Sequence, residues 1–201
     1  MFSSMDFFCI FAYCGLQILI ILGGRIANPT EHKEHQPSFR NIYQTSKYRI
    51  MMTEEQEKID EQMMRKALAE AEKARERGEI PIGAVVACRE RIIARAHNLT
   101  ETLHDVTAHA EMQAITSAAN ELGGKYLTDC TLYVTVEPCV MCAGALGWAQ
   151  VKRVVYGAPD EKRGYRAFAP QALHPKAQVT SGVLCDECRQ LMLNFFAEKR
   201  K

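Results

Sequence analysis

TLYVTVEPCVMCAGA, residues Thr131–Ala145, is the stretch whose reading decides the fold. Its first six residues alternate and are rich in β-branched and aromatic side chains, so Thr131–Val136 reads as a strand. Pro138 then breaks the ladder and suits the first turn of a helix. From Cys139 the chain is small and apolar, which predicts a buried helix. Cys139 and Cys142 are three apart and share one helical face. They also sit at the helix N-terminus, where the dipole favours anions and lowers a thiol pKa. A strand thus hands over to a helix that presents two ready thiolates at one end of a sheet.

A second stretch, TAHAEMQ at Thr107–Gln113, supplies what the two cysteines lack. His109 opens a helix, because Ala110, Ala114, Ile115, Ala118, Ala119 and Leu122 trace an apolar stripe behind it and Gly123-Gly124 stops it. One imidazole and two thiolates suit zinc, and three protein ligands leave the fourth tetrahedral position open, as in a catalytic site. Glu111 does not share a helix face with His109, but from a first turn it can reach the opposite side of the same pocket. Alone, a C-x-x-C is common and reads equally as a redox or structural pair, and an isolated H-A-E means little. H-x-E followed by P-C-x-x-C is the established signature of zinc nucleobase deaminases.

Outward from these motifs, the 201-residue chain is long enough for one well-buried domain. The net charge of +1 gives no overall argument for nucleic acid, so any basic surface must be local, as at Lys199, Arg200 and Lys201. Eight cysteines in a chain of this size do not suggest a disulfide scaffold, and the four at C-x-x-C spacing, with His and Glu elsewhere, fit an intracellular metal protein better. Residues 1–51 look foreign to the rest. Phe7–Leu22 is an apolar run of about 16 residues, short of the roughly 20 of a spanning helix. No basic region precedes it, and a polar linker follows to Ile50. A membrane tether, a secretory signal and a misassigned start upstream of Met51 or Met52 compete here, and the last is favoured because an amphipathic helix begins directly after it.

That helix is expected from about Thr53 to Arg77, with Thr53 and Gln56 as a capping box and Ile59, Met63, Ala67, Leu68 and Ala71 buried. Ile82–Cys88 and Arg91–Ala96 read as a hairpin closed by Arg89-Glu90. His97-Asn98 leads to a loop at the His109 end of the sheet. Lys152–Tyr156 reads as a strand parallel to Thr131–Val136. Gly157–Ala169 is a charged loop whose Lys162, Arg163 and Arg166 interleave with Tyr165 and Phe168, a pattern suited to single-stranded nucleic acid or to an ordinary exposed loop. Gln178–Ser181 is a short edge strand, and Val183–Lys199 a last helix with Leu184, Leu191, Phe195 and Phe196 inward. Cys185 and Cys188 could join the first pair in a four-thiolate structural zinc site, but that would leave His109 and Glu111 without roles.

PIGAVV, HN at 97, HAEM, TLYVTVEPCVMCAGA, RVVYGAPDEKRG, SGVL and FFAEKRK together resemble the bacterial tRNA-specific adenosine deaminases of the cytidine deaminase superfamily. The similarity covers about Glu54 to Lys201, so a deaminase domain at 52–201 is expected, and residues 1–51 have no counterpart. The resemblance implies an α/β fold, a three-layer α/β/α sandwich with a mixed sheet of about five strands. It implies a cytoplasmic homodimer with one zinc per subunit on His109, Cys139 and Cys142, Glu111 as proton carrier, and a tRNA anticodon stem-loop deaminated to inosine at the wobble position. Asn98, Val85, Ala110, Pro138, Asp160 and Arg163 are the substrate-contacting candidates, with Val85 expected in the pocket wall. A deaminase of free guanine or cytidine, and a zinc module without turnover, are the alternatives.

Overall fold

The computed structural model describes residues 46–200, with side chains from Thr53 onward. The apolar run at 7–22 and most of the linker lie outside these residues. Helix α1 spans Ser46–Glu76, strand β1 Gly83–Cys88, β2 Arg91–His97, α2 Ala110–Leu122, β3 Cys130–Val136, α3 Val140–Trp148, β4 Arg153–Ala158, the single turn α4 Tyr165–Phe168, β5 Gln178–Ser181 and α5 Cys185–Glu198. The five strands form one mixed sheet in the order β2-β1-β3-β4-β5. β1 runs antiparallel to β2 and β3, whereas β3–β4 and β4–β5 are parallel. The turn closing the β1–β2 hairpin holds both Arg89 and Glu90 at positive φ, 48° and 67°, the left-handed pair that matches strand twist.

Alternation along the strands divides the core in two. Ala84, Val86, Leu132, Val134 and Val154 face α2 and α3, meeting Ala110, Ala114, Ala118 and Leu146. Val85, Ala87, Tyr133 and Val155 face the other way, onto Met64 and Ala67 of α1 and Cys188 of α5. Helices therefore cover both faces, and the three-layer architecture follows. Gly83 permits the tightest approach: a Cβ there would lie 2.1 Å from the Ala67 carbonyl oxygen of α1.

Three local expectations change. α1 starts upstream of Thr53, since no Gly or Pro interrupts Ser46–Met52, and Gln56 donates to Asp60 rather than closing a capping box. Leu122 and Phe196 are exposed at the ends of their stripes. α1 also buries Asp60, which the apolar stripe does not announce. Arg153 meets it with two hydrogen bonds, 2.7 and 2.6 Å, and Tyr133 donates to it at 3.1 Å. This pair ties α1 to β3 and β4, and an unpaired partner there would cost about 3–5 kcal/mol.

The sheet gathers one end of four strands around a single point. Val136 and Ala158 are paired at the carboxyl ends of β3 and β4. β1 is reversed, so its entry at Ile82 comes to the same end, and β2 leaves there through His97 and Asn98, whose N–H reaches the Ile82 carbonyl at 3.0 Å. Carboxyl ends of parallel strands are where open α/β sheets bind ligands.

Candidate active site

His109 and Cys139 occupy the same structural position, the N-cap of α2 and of α3, both in extended backbone with ψ of 156° and 172°. Neither makes a side-chain cap hydrogen bond. A Ser or Asp cap would add about 1 kcal/mol to each helix; here the outward-pointing cap side chain serves as a donor instead. Cys142 follows in the first turn of α3 and is fully buried. His109 Nδ1 lies 3.7 Å from Cys139 Sγ and 3.5 Å from Cys142 Sγ. Among the described residues this trio is the group whose donor atoms, all within 4.8 Å of one another, could hold one metal ion. Zinc–nitrogen bonds of about 2.0–2.1 Å and zinc–sulfur bonds of about 2.3 Å at tetrahedral angles put N and S about 3.5 Å apart, so the donor set fits zinc.

The surroundings push the two thiols in opposite directions. The Cys139 thiol is drawn down to about 4 by hydrogen bonding with Cys142, against its burial, with His109 and the Cys142 backbone N–H adding to the effect. Cys142 is pushed up by that same hydrogen bond and by burial. His109 is raised by its hydrogen bond to Cys139, over the opposing effect of burial. Glu111, in the first turn of α2, is buried and its carboxyl is lifted to about 6 by desolvation, its own backbone N–H pulling the other way.

His109, Glu111 and Cys139 floor a cavity of about 990 Å³. Ile80, Ile82, Val136 and Ala158 form an apolar wall, and Asn98 and Thr100 a polar one. Asp160, Lys162 and Arg163 also line it, as do Arg189, Met192, Leu193, Phe196, Lys199 and Arg200 of the C-terminal segment. Of the substrate-contacting candidates, Asn98, Asp160 and Arg163 are brought to this cavity. Three are not. Val85 points to the other face of the sheet and is sealed in the core under α1, so the wall belongs to Ile80 and Ile82. Ala110 packs its methyl against the α2–α3 side of the sheet. Pro138 is buried, its carbonyl accepting the Tyr165 N–H at 2.9 Å. Cys185 and Cys188 take no part either: Cys188 packs beneath Gly157, and Cys185 accepts a hydrogen bond from Arg189.

Two further carboxylates hold the walls, Glu79 from behind them and Glu137 as part of the lining. Glu79 is fully buried and takes hydrogen bonds from Asn98, Thr100 and the backbone of Glu101 and Thr102. Glu137 accepts from the backbone of Asp160 and Arg166 and from the Arg166 guanidinium, all at 3.2 Å, anchoring the loop that carries Asp160 and Arg163. Sequence reading passed over both. The available signal was an acid directly before each functional turn, in EIPIG and EPCVMC.

Residues 57–158 match the cytidine and deoxycytidylate deaminase zinc-binding region. A tRNA-specific adenosine deaminase of Bacillus subtilis is 48% identical over 147 residues, 71% of this chain and 91% of the relative. A solved structure from work on A-to-I editing by tRNA:A34 deaminases at the wobble position is 43% identical with a TM-score of 0.61, over 65% of this chain and 98% of the other. A guanine deaminase from Nitrosomonas europaea shares the fold at 26% identity and a TM-score of 0.61, over 68% of this chain and 84% of the other. Fold, zinc-compatible donors and identity across nearly the whole of these relatives agree, and the chain belongs to the tRNA-specific adenosine deaminases of the zinc-dependent cytidine deaminase superfamily.

Proposed function

We propose that this protein hydrolyses adenosine to inosine at the wobble position of tRNA, with His109, Cys139 and Cys142 holding one zinc and Glu111 moving the protons. The observation that carries this is the buried Glu111 carboxyl beside a zinc-compatible trio at the floor of the 990 Å³ cavity. Zinc in such a site supplies the Lewis acidity that makes water a nucleophile near neutral pH. Glu111 accepts a proton from the attacking water and delivers it to N1 of adenine, then carries another to the amine leaving C6. A carboxyl raised to about 6 suits both directions of transfer. Water adds, ammonia departs, and the balance closes. Ile80, Ile82, Val136 and Ala158 exclude bulk water from the base, while Asn98 orients it.

The reading as tRNA rests on the basic side chains of the cavity. Arg163, Lys162, Arg189, Lys199 and Arg200 line the cavity and outnumber its acidic residues, Glu101, Glu111, Glu137 and Asp160, in a protein that is nearly neutral overall. Phe196 lies among them as a surface on which a flanking base can stack. The homodimer belongs to the same proposal. Val140, Met141 and Trp148 of α3 are exposed, Trp148 by 85%, and a second copy is the occupant proposed for this apolar strip. The catalytic domain is taken as residues 52–201. A cytoplasmic location is supported by the six free cysteines among the described residues. No helix among those residues is long and apolar enough to cross a membrane.

Zinc-loaded protein is to be assayed on an anticodon stem-loop with adenosine at the wobble position, beside free adenosine, cytidine and guanine. Inosine in the stem-loop with little release from the free compounds is expected. Preferential turnover of guanine or cytidine would replace the tRNA reading, and no turnover with zinc bound would favour a binding module. Light scattering of the same sample reads the dimer.

A further inference from the structure

We infer that Glu79 is a positioning residue that turns the Asn98 carboxamide so that its oxygen faces the cavity, and that the target nucleotide is therefore held at Asn98 through a hydrogen-bond donor. The identity of that nucleotide rests on the function proposed above; the orientation of Asn98 does not.

Glu79 follows Gly78, whose φ of 77° turns the chain off the end of α1 and back beneath the wall. Its side chain is fully buried. Oε2 accepts from Asn98 Nδ2 at 3.0 Å, Thr100 Oγ1 at 3.3 Å and the Glu101 N–H at 3.2 Å, and Oε1 accepts from the Thr102 N–H at 2.7 Å. Burial raises the carboxyl, but the donors of Thr102, Glu101 and Thr100 outweigh it and hold the group below the ordinary carboxylate range. An ionised carboxylate only accepts. It can face the nitrogen of Asn98 and not the oxygen.

Thr100 completes the lock. Its hydroxyl has one proton, and that proton points at Glu79. What Thr100 offers Asn98 is a lone pair, which takes the second N–H of the carboxamide at 2.9 Å. Both Asn98 N–H groups are thereby used, and the carbonyl oxygen is left to a ligand in the cavity that Asn98 lines. A purine ring nitrogen, which is itself an acceptor, is repelled there. Within an RNA strand the 3′ and 5′ oxygens are esterified, so a target adenosine has two donors to give: its exocyclic amine and its 2′-hydroxyl.

Glu79→Gln is close in shape but brings an amide nitrogen to face Asn98, which should swing the carboxamide over. In wild-type protein, nuclear magnetic resonance of the Asn98 side-chain amide should show both protons protected from exchange with water. In Glu79→Gln that protection should disappear, and in Thr100→Ala one proton should lose it. On the anticodon stem-loop, Glu79→Gln should raise KM about tenfold or more with little change in kcat. In an Asn98→Ala background the same change should add less than twofold. Zinc near one per chain in each variant shows that the floor is intact. A 2′-deoxyadenosine target separates the two donors: equal KM for wild type and Glu79→Gln assigns the hydroxyl, and a persisting difference assigns the amine. Unaltered protection in both Glu79→Gln and Thr100→Ala would overturn the lock, as would an equal Glu79→Gln effect with and without Asn98. A wild-type protein inactive on the stem-loop would sink the substrate reading alone, because the exchange measurement needs no substrate.

Discussion

Glu111 on one side, and Glu79 and Glu137 on the other, are buried alike and behave oppositely. Glu111 is lifted to about 6 by desolvation. Burial pushes Glu79 and Glu137 upward too, yet hydrogen bonds from the 98–102 loop and from Arg166 and Asp160 bring each below the ordinary range. Depth and donors act together: Glu111 is the most deeply desolvated of the three, whereas Glu79 and Glu137 are each met by four hydrogen-bond donors. A carboxylate met by four donors is fixed in charge and serves as a post to which a loop is tied. A carboxyl buried with few donors keeps its proton exchange open, which is what a group beside an activated water needs.

The sharpest break in that contrast comes from the floor. Cys142→Ala removes one of three donors from a buried trio, and both zinc and turnover should be lost together, read by metal analysis and the inosine assay. Glu111→Ala should separate the two: zinc stays near one equivalent per chain while turnover falls by roughly 10²–10⁴-fold. Surviving turnover would return Glu111 to the class of Glu79 and Glu137.

Glu137→Gln tests the other side. The new amide would aim N–H groups at Arg166 or at the Asp160 N–H, so stability should fall by about 2 kcal/mol, read by urea unfolding. KM for the stem-loop should rise more than kcat falls, because Asp160 and Arg163 ride on the freed loop. The pH dependence follows from the sign of the shift. Glu137 titrates lower in the folded protein than in the unfolded chain, so its stabilisation is complete above about pH 4.5 and is lost as pH falls through the depressed value. Glu79 behaves likewise. Acid unfolding of Glu137→Gln should therefore be shallower below pH 4.5 than that of wild type; a parallel curve would remove Glu137 from the anchored class.

Much of this was legible because it is local. The strand–proline–helix passage at Thr131–Ala145 and the helix after His109 each carry their own periodicity, and a ligand at an N-cap is placed by the cap itself. The parallel β3–β4 pairing followed from the helix between them. What escaped depends on partners far away in the chain. Val85 reads as a pocket residue from its neighbours in PIGAVV, but the face a strand residue takes is decided by the register of β1 on β2 and β3, which sent Val85 to α1 and left the wall to Ile80 and Ile82. Asp60 looks like one more charge on a solvated helix until Arg153 arrives from β4. Glu79 and Glu137 needed their donors in view: a sequence shows a carboxylate but not the N–H groups that surround it.

The smallest expected effect concerns how much of the Glu137 anchor is ion pair and how much is backbone. Arg166 supplies two of its four hydrogen bonds through the guanidinium, but that side chain is 51% exposed, and water screens an exposed pair to about 0–1 kcal/mol. The other two bonds come from the backbone N–H groups of Asp160 and Arg166, which remain when the side chain is shortened. Arg166 also lies 5.3 Å from the Tyr156 ring centre, a contact of about 0.5–1 kcal/mol at an exposed site. Arg166→Ala should therefore cost about 1 kcal/mol in urea unfolding, clearly less than Glu137→Gln, and leave KM within about twofold. A loss as large as that of Glu137→Gln would mean that the guanidinium is the true anchor, and that the backbone donors only follow where it holds the loop.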